Sequence, residues 1–127
     1  MRYKLKKETK PTLKTFGKYK AVACHSETID TERIVKELCR QENISKGAVY
    51  QVLMGLSEVV SRHLRQGDNV RLDRWGLMKL EVLSAAVDRP SDFRPKEHIH
   101  GVRLHFLPES SKGKPELYQD LEFTLDE

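Results

Sequence analysis

One apolar stripe, with a marked beginning and a marked end, constrains this chain more than any other feature. Ser45 stands where an N-cap belongs, and Ile44 before it is placed to close over Val49. Val49, Val52, Leu53, Leu56, Val59, Val60 and Leu64 then recur at helical spacing, and Gly67 stops the run just past its end. An apolar face of that length needs a cover. A chain of 127 residues has little else to lay over it, so a second copy of the chain is the expected cover.

The elements around the stripe follow from the same kind of reading. Asp30 caps a shorter helix over residues 31–41, with Ile29 placed to close over Ile34. Its inner stripe is Ile34, Val35, Leu38 and Cys39. After Gly67 the period changes to two. Val70 and Leu72 make a short strand, Arg74-Trp75-Gly76 a turn, and Met78, Leu80 and Val82 alternate with Lys79 and Glu81 in a longer strand. A partner strand over residues 99–107 alternates Val102, Leu104 and Phe106 with Arg103 and His105, and a bulge at Gly101 would return Ile99 to the apolar face. Pro90 and Pro95 forbid a regular ladder in the segment between these strands, which forms the far end of a long β-ribbon. Pro115 predicts a short C-terminal helix through Leu121, before an acidic tail. Residues 3–10 and 16–24 read as weak strands or an extended arm on either side of Pro11.

Charge is unevenly placed. The whole chain carries +4, but residues 1–20 hold eight bases against one acid, Glu8, so the remainder is net negative. Such a block reads as an arm for polyanions, nucleic acid before anionic membrane; a solvated solubilising end would look the same. Cys24 and Cys39 form no C-x-x-C pair, which fits a reducing cytosol. No apolar run follows the basic start, and no eighteen-residue apolar stretch occurs, so neither a signal peptide nor a membrane span is expected.

The order of these elements resembles the HU/IHF family of histone-like DNA-binding proteins, in a divergent branch carrying an N-terminal extension. The residues that carry the resemblance are Ile44-Ser45-Lys46 opening the second helix, Gly67-Asp68-Asn69-Val70-Arg71-Leu72 and Trp75-Gly76. They continue with Met78-Lys79-Leu80-Glu81-Val82 in the ribbon and Phe106-Leu107-Pro108 after it. The resemblance covers roughly residues 28–125, so residues 1–27 are read as a basic extension and 28–127 as the HU/IHF-like domain. It implies an α+β fold: a helical base of two helices, an antiparallel three-stranded sheet with a β-ribbon arm, a short C-terminal helix, and an intertwined homodimer. It further implies a bacterial, cytoplasmic, nucleoid-associated protein with double-stranded DNA as its partner. Such a protein has no membrane, no cofactor, no metal and no small-molecule substrate, and it bends DNA through the minor groove with little sequence specificity.

Candidate DNA-contacting residues follow. Lys79, Arg89, Arg94, Lys96 and Arg103 are the ribbon's phosphate candidates, and Lys4, Lys6 and Lys7 those of the basic arm. Pro90, after Arg89, stands where a wedge between base steps would stand, although an ordinary turn proline occupies the same kind of place. The tip departs from the arginine-rich family pattern, reading Asp88-Arg89-Pro90, and residues 88–105 carry only one net positive charge, counting lysine and arginine against aspartate and glutamate.

Other readings fit these residues less well. A winged helix-turn-helix regulator would need a polar, base-reading start to the second helix, where only Lys46 and Gln51 qualify. A metal site on His98, His100 and His105 lacks a completing carboxylate or thiol pattern, and Cys39 on an inner stripe makes a poor nucleophile. A protein-interaction module with a basic end is the non-nucleic alternative. No enzymatic motif occurs.

Overall fold

The computed structural model describes residues 1–111 and 113–126; Lys112 and Glu127, the last residue of the expected acidic tail, lie outside them. Two compact units divide the chain: Met1–Ile34 with Asp120–Glu127, and Val35–Gln119.

In the first unit, β1 (Arg2–Lys7) and β2 (Tyr19–Ala23) form an antiparallel hairpin with Tyr3 opposite Ala23 and Lys7 opposite Tyr19. A third strand, β8 (Thr124–Leu125), lies parallel to the other edge of β1, with Arg2 opposite Thr124. Alternation makes this sheet two-faced. Arg2, Lys4, Lys6 and Lys20 share one side, and Tyr3, Leu5, Ala21 and Leu125 the other.

Helix α1 (Thr31–Glu42) begins where Asp30 Oδ1 accepts from the Arg33 amide at 2.9 Å. Helix α2 (Lys46–Arg65) begins where Ser45 Oγ accepts from the Ala48 amide at 3.2 Å. Its end is closed as the sequence requires. Gly67 takes a φ of +92°, its amide donates to Leu64, and Asp68 donates to His63. The Asp68 carboxylate also reaches His63 Nδ1 at 2.9 Å.

Strands β3 (Val70–Leu72), β4 (Gly76–Ser84) and β5 (Ile99–Pro108) form an antiparallel sheet in that order. Met78, Leu80 and Val82 lie opposite Phe106, Leu104 and Val102 on one face; Lys79 and Glu81 lie opposite His105 and Arg103 on the other. The register shifts once, from Leu83 opposite Gly101 to Ser84 opposite Ile99. His100 is the extra residue, and the shift sets Ile99 on the apolar face, as the glycine suggested. Gly76 opens β4 with a φ of +153°, and a Cβ there would collide with the carbonyl oxygen of Leu107 and the Cα of Pro108.

The expected C-terminal helix is corrected. A small hairpin, β6 (Ser110–Ser111) and β7 (Lys114–Pro115), leads into a single 3-10 turn, Glu116–Tyr118. Pro115, extended at a ψ of 131°, caps this turn, and Gln119 at its other end is extended at a ψ of 158°, so the helix stops after one turn. Asp120, at a φ of +56°, breaks the path a helix through Leu121 would take.

Among the described residues, Val35 and Val49 are the only large apolar side chains that are buried, at 0% and 8% exposure. Val52 of α2 is 67% exposed and Met54 is 54% exposed; Leu56, Val59, Val82, Val102 and Leu104 are exposed too. Between α1 and α2 runs an open groove of about 220 Å³ lined by Leu38, Ile44, Ala48, Val49, Val52 and Leu53. A helix apolar on several sides belongs inside something.

Candidate nucleic-acid interface

The ribbon's polar face is built by cross-strand pairing. Because Glu81 lies opposite Arg103, and Lys79 opposite His105, four titratable side chains share one patch. Arg103 Nη2 donates to Glu81 Oε2 at 2.7 Å, and His105 Nδ1 lies 3.7 Å from Glu81 Oε1. The Arg103 hydrogen bond holds the Glu81 carboxyl below its ordinary value of 4.5; desolvation opposes this, and His105, Arg103 and Lys79 add to it through their charge. A carboxylate thus occupies the middle of the cationic patch and holds Arg103, one of the expected phosphate contacts.

The sign of the linkage is that of a lowered carboxylate. The cross-strand pair contributes above pH 4.5 and is lost as pH falls through the lowered value. Arg103→Gln is expected to move the titration of Glu81 upward toward 4.5, measured on its side-chain carboxyl carbon by NMR. An unmoved midpoint would show that the other cations hold the charge.

At the ribbon's far end the chain does not continue as extended strand. Pro90–Asp92 is a 3-10 turn, α3 (Pro95–His98) is a single helical turn, and the Ala85 amide closes the loop onto the His98 carbonyl at 2.8 Å. Each proline opens a turn, where its fixed φ and missing N–H cost nothing. Pro90 is therefore placed by local turn structure. Arg89 beside it points its guanidinium at Asp92, Nε to Oδ2 at 3.2 Å. Phe93 lies against the His98 ring at 5.3 Å between centroids, and His98 Nδ1 accepts from the Arg94 amide at 2.7 Å. Arg94 and Lys96, with no ion pair among the described residues, line an open depression of about 390 Å³ with Pro95 and Glu97.

The structure thus brings Lys79 and Arg103 together on one face and Arg94 and Lys96 together at the tip, while Arg89 and Arg103 are both held by acids. Lys4 and Lys6 share the basic face of the first unit; Lys7, one residue further along β1, falls on the opposite face. Lys20 joins Lys4 and Lys6 through its register opposite Lys6, a membership that needed the hairpin register to be seen. His98, His100 and His105 do not converge. Among the described residues, no three His, Cys, Asp or Glu side chains are grouped to hold a metal ion. Nor is any helix among them long and apolar enough to cross a membrane.

Known proteins bear on this geometry in two ways. The model of the HU-HIG family, an HU domain fused to a winged helix-turn-helix, Ig or glycine-rich motif, matches residues 1–119. A crystal structure from Bacteroides vulgatus ATCC 8482, of a protein described as a proposed bacterial DNA-binding protein, is similar at a TM-score of 0.64 and 13% identity. That match covers 98% of this chain and 47% of the other, so this chain spans about half the length of that protein. At this identity the likeness shows a shared fold. No curated protein sequence matches. With nearly its whole length matched by one family model, the chain belongs to the HU-HIG family.

Proposed function

We propose that this chain is a non-enzymatic architectural DNA-binding protein that works as a homodimer. It holds double-stranded DNA by its backbone and bends it through the minor groove, with little sequence preference. The observation that carries this reading is the separation of charge from apolar surface. The first unit presents Arg2, Lys4, Lys6 and Lys20 on one sheet face, while α2 and the ribbon expose apolar faces that a second copy would cover.

Support comes from the family, whose description centres on an HU domain, and from the DNA-binding description of the Bacteroides protein. Residues 1–27 act as a basic extension to the domain formed by 28–127. The ribbon arms contribute Lys79, Arg94 and Lys96 to phosphate, and Arg89 and Arg103 when DNA displaces their acidic partners. Exchanging one acid for one phosphate is close to neutral in charge, so these two add little to affinity. A protein of this kind works in the cytoplasm on the nucleoid.

Titration against unrelated duplexes tests the reading. Affinity should fall steeply between about 50 and 200 mM salt and vary little between sequences. Lys4→Gln with Lys6→Gln should lower the slope of log affinity against log salt by about 1.8, at about 0.9 per phosphate contact. Absence of binding at low salt would overturn the proposal, and a strong preference for one sequence would favour a base-reading regulator.

A further inference from the structure

We propose that the β1–β2 hairpin tip, residues 8–18, is a second DNA-contacting arm, in which Phe16 and Leu13 wedge between base steps while Lys10, Lys14 and Lys18 hold the flanking phosphates. The inference rests on the DNA-binding reading above and assigns it a site that the ribbon does not supply.

The tip is ordered by its own backbone. The Glu8 amide donates to Lys18 at 2.9 Å and Gly17 donates back to Glu8 at 3.1 Å, closing the loop. Within it, Leu13 donates to Lys10, Phe16 to Leu13 and Lys18 to Thr15, at 2.9 to 3.2 Å. Gly17, at a φ of +81°, makes the reversal that a side-chain-bearing residue would resist. Leu13 and Phe16 are thus the first and last residues of one hydrogen-bonded turn. A loop fixed in this way loses little further freedom on binding.

Its side chains face solvent. Every residue from 9 to 20 is exposed, Leu13 at 44% and Phe16 at 55%. About half of each side chain thus remains apolar surface in water that a bound partner could cover. The single acid of the loop is engaged: Glu8 Oε1 accepts from the Lys10 amide at 3.1 Å, and Oε2 lies 3.7 Å from Lys20. The lysine charges at positions 10, 14 and 18 have no other acid within the loop to meet. An apolar wedge flanked by cations is the chemistry that opens a base step from the minor groove, where unstacking costs a few kcal/mol.

The contrast with the ribbon tip favours this assignment. There the aromatic lies against a histidine of its own loop, the arginine faces an aspartate, and the proline starts a turn. In the hairpin tip the corresponding groups, a phenylalanine and lysines, are turned outward.

The test uses the whole chain on a duplex labelled at both ends, reading bend by energy transfer and affinity by titration. Leu13→Ala with Phe16→Ala should abolish most of the energy-transfer change while affinity falls by about threefold to tenfold, because phosphate contacts hold bent and straight DNA alike. Lys10→Gln, Lys14→Gln and Lys18→Gln together should lower the salt slope by about 2.7. All five positions are exposed, so thermal melting should be unchanged and serves as the folding control. An unchanged bend in the first variant, or an unchanged slope in the second, overturns the proposal. So does uptake by phosphatidylserine vesicles that needs Phe16 when DNA binding does not, which would make the tip a membrane contact. Failure of the unaltered chain to bind duplex at low salt is a different result: it overturns the proposed function itself, and this arm with it.

Discussion

Replacing Val52 and Val59 together by glutamate should convert a species of twice the chain mass into one that sediments as a monomer and melts without a cooperative transition. The two positions lie seven residues apart on α2, with Leu56 between them on the same face, and all three are exposed within one chain. In a dimer that face is covered. Two carboxylates would then have to be desolvated without partners, at several kcal/mol each. The same loss should follow dilution of the unaltered chain, since the described residues of one copy bury only Val35 and Val49 among their large apolar side chains. A double variant that still sediments as a dimer would place the interface elsewhere, and a unaltered monomer with a sharp melt would remove the dimer altogether.

Gly76→Ala is expected to cost about 3 kcal/mol, or roughly 10 °C in melting temperature, from the addition of one methyl group. Two effects add. The φ of +153° is one that only glycine adopts readily, and the new Cβ would meet backbone, the Leu107 carbonyl and Pro108 Cα, where no side chain can move aside. Gly76 lies opposite both Leu72 and Pro108, so relieving the clash pulls β4 away from a neighbour at the root of the ribbon. Gly47→Ala makes the control, being an exposed position in the first turn of α2, off the face of Val52 and Val59, where an added Cβ meets nothing within 4 Å; it should be neutral or stabilising. Equal melting temperatures for the two variants would show that the root of the ribbon relaxes at no cost.

What the sequence revealed depended on how local its signals were. Both long helices were legible because each carries its own punctuation: Asp30 and Ser45 at the starts, and Gly67 past the end. The ribbon was legible because alternation on β4 and β5 is a property of each strand alone, and even the bulge left a glycine beside it. The C-terminal segment was misread in length because a proline marks where a helix can begin and not how far it runs; the extended Gln119 and the positive φ of Asp120, which no local signal announces, end it after one turn. Strand β8 was invisible, since two residues carry no period and their partner lies at the other end of the chain. The same limit applied to the site. Lys4, Lys6 and Arg103 were found as cations, but the pairing of Arg103 with Glu81, and the side on which Lys7 falls, are consequences of register. The exposed pair at the hairpin tip was missed for a related reason: Phe16 fits an alternating strand pattern as well as it fits a turn.

The parallel seating of β8 against β1 has a consequence for the order of assembly. The β1–β2 hairpin closes a loop of only residues 8–18, whereas pairing Arg2 with Thr124 closes nearly the whole chain. The logarithmic penalty makes the second closure dearer by about 2 kcal/mol, so the hairpin is expected to form before the third strand joins it. During synthesis, one edge of β1 therefore waits unpaired while everything between is made. That edge is a template on which another nascent hairpin could add. Lysines along such an edge discourage the addition, because two copies would bring like charges together. Because β8 pairs only with Arg2 and Tyr3, the β1 edge at Lys4, Lys6 and Lys7 stays open even after it arrives, and their like charges discourage that addition before and after folding alike.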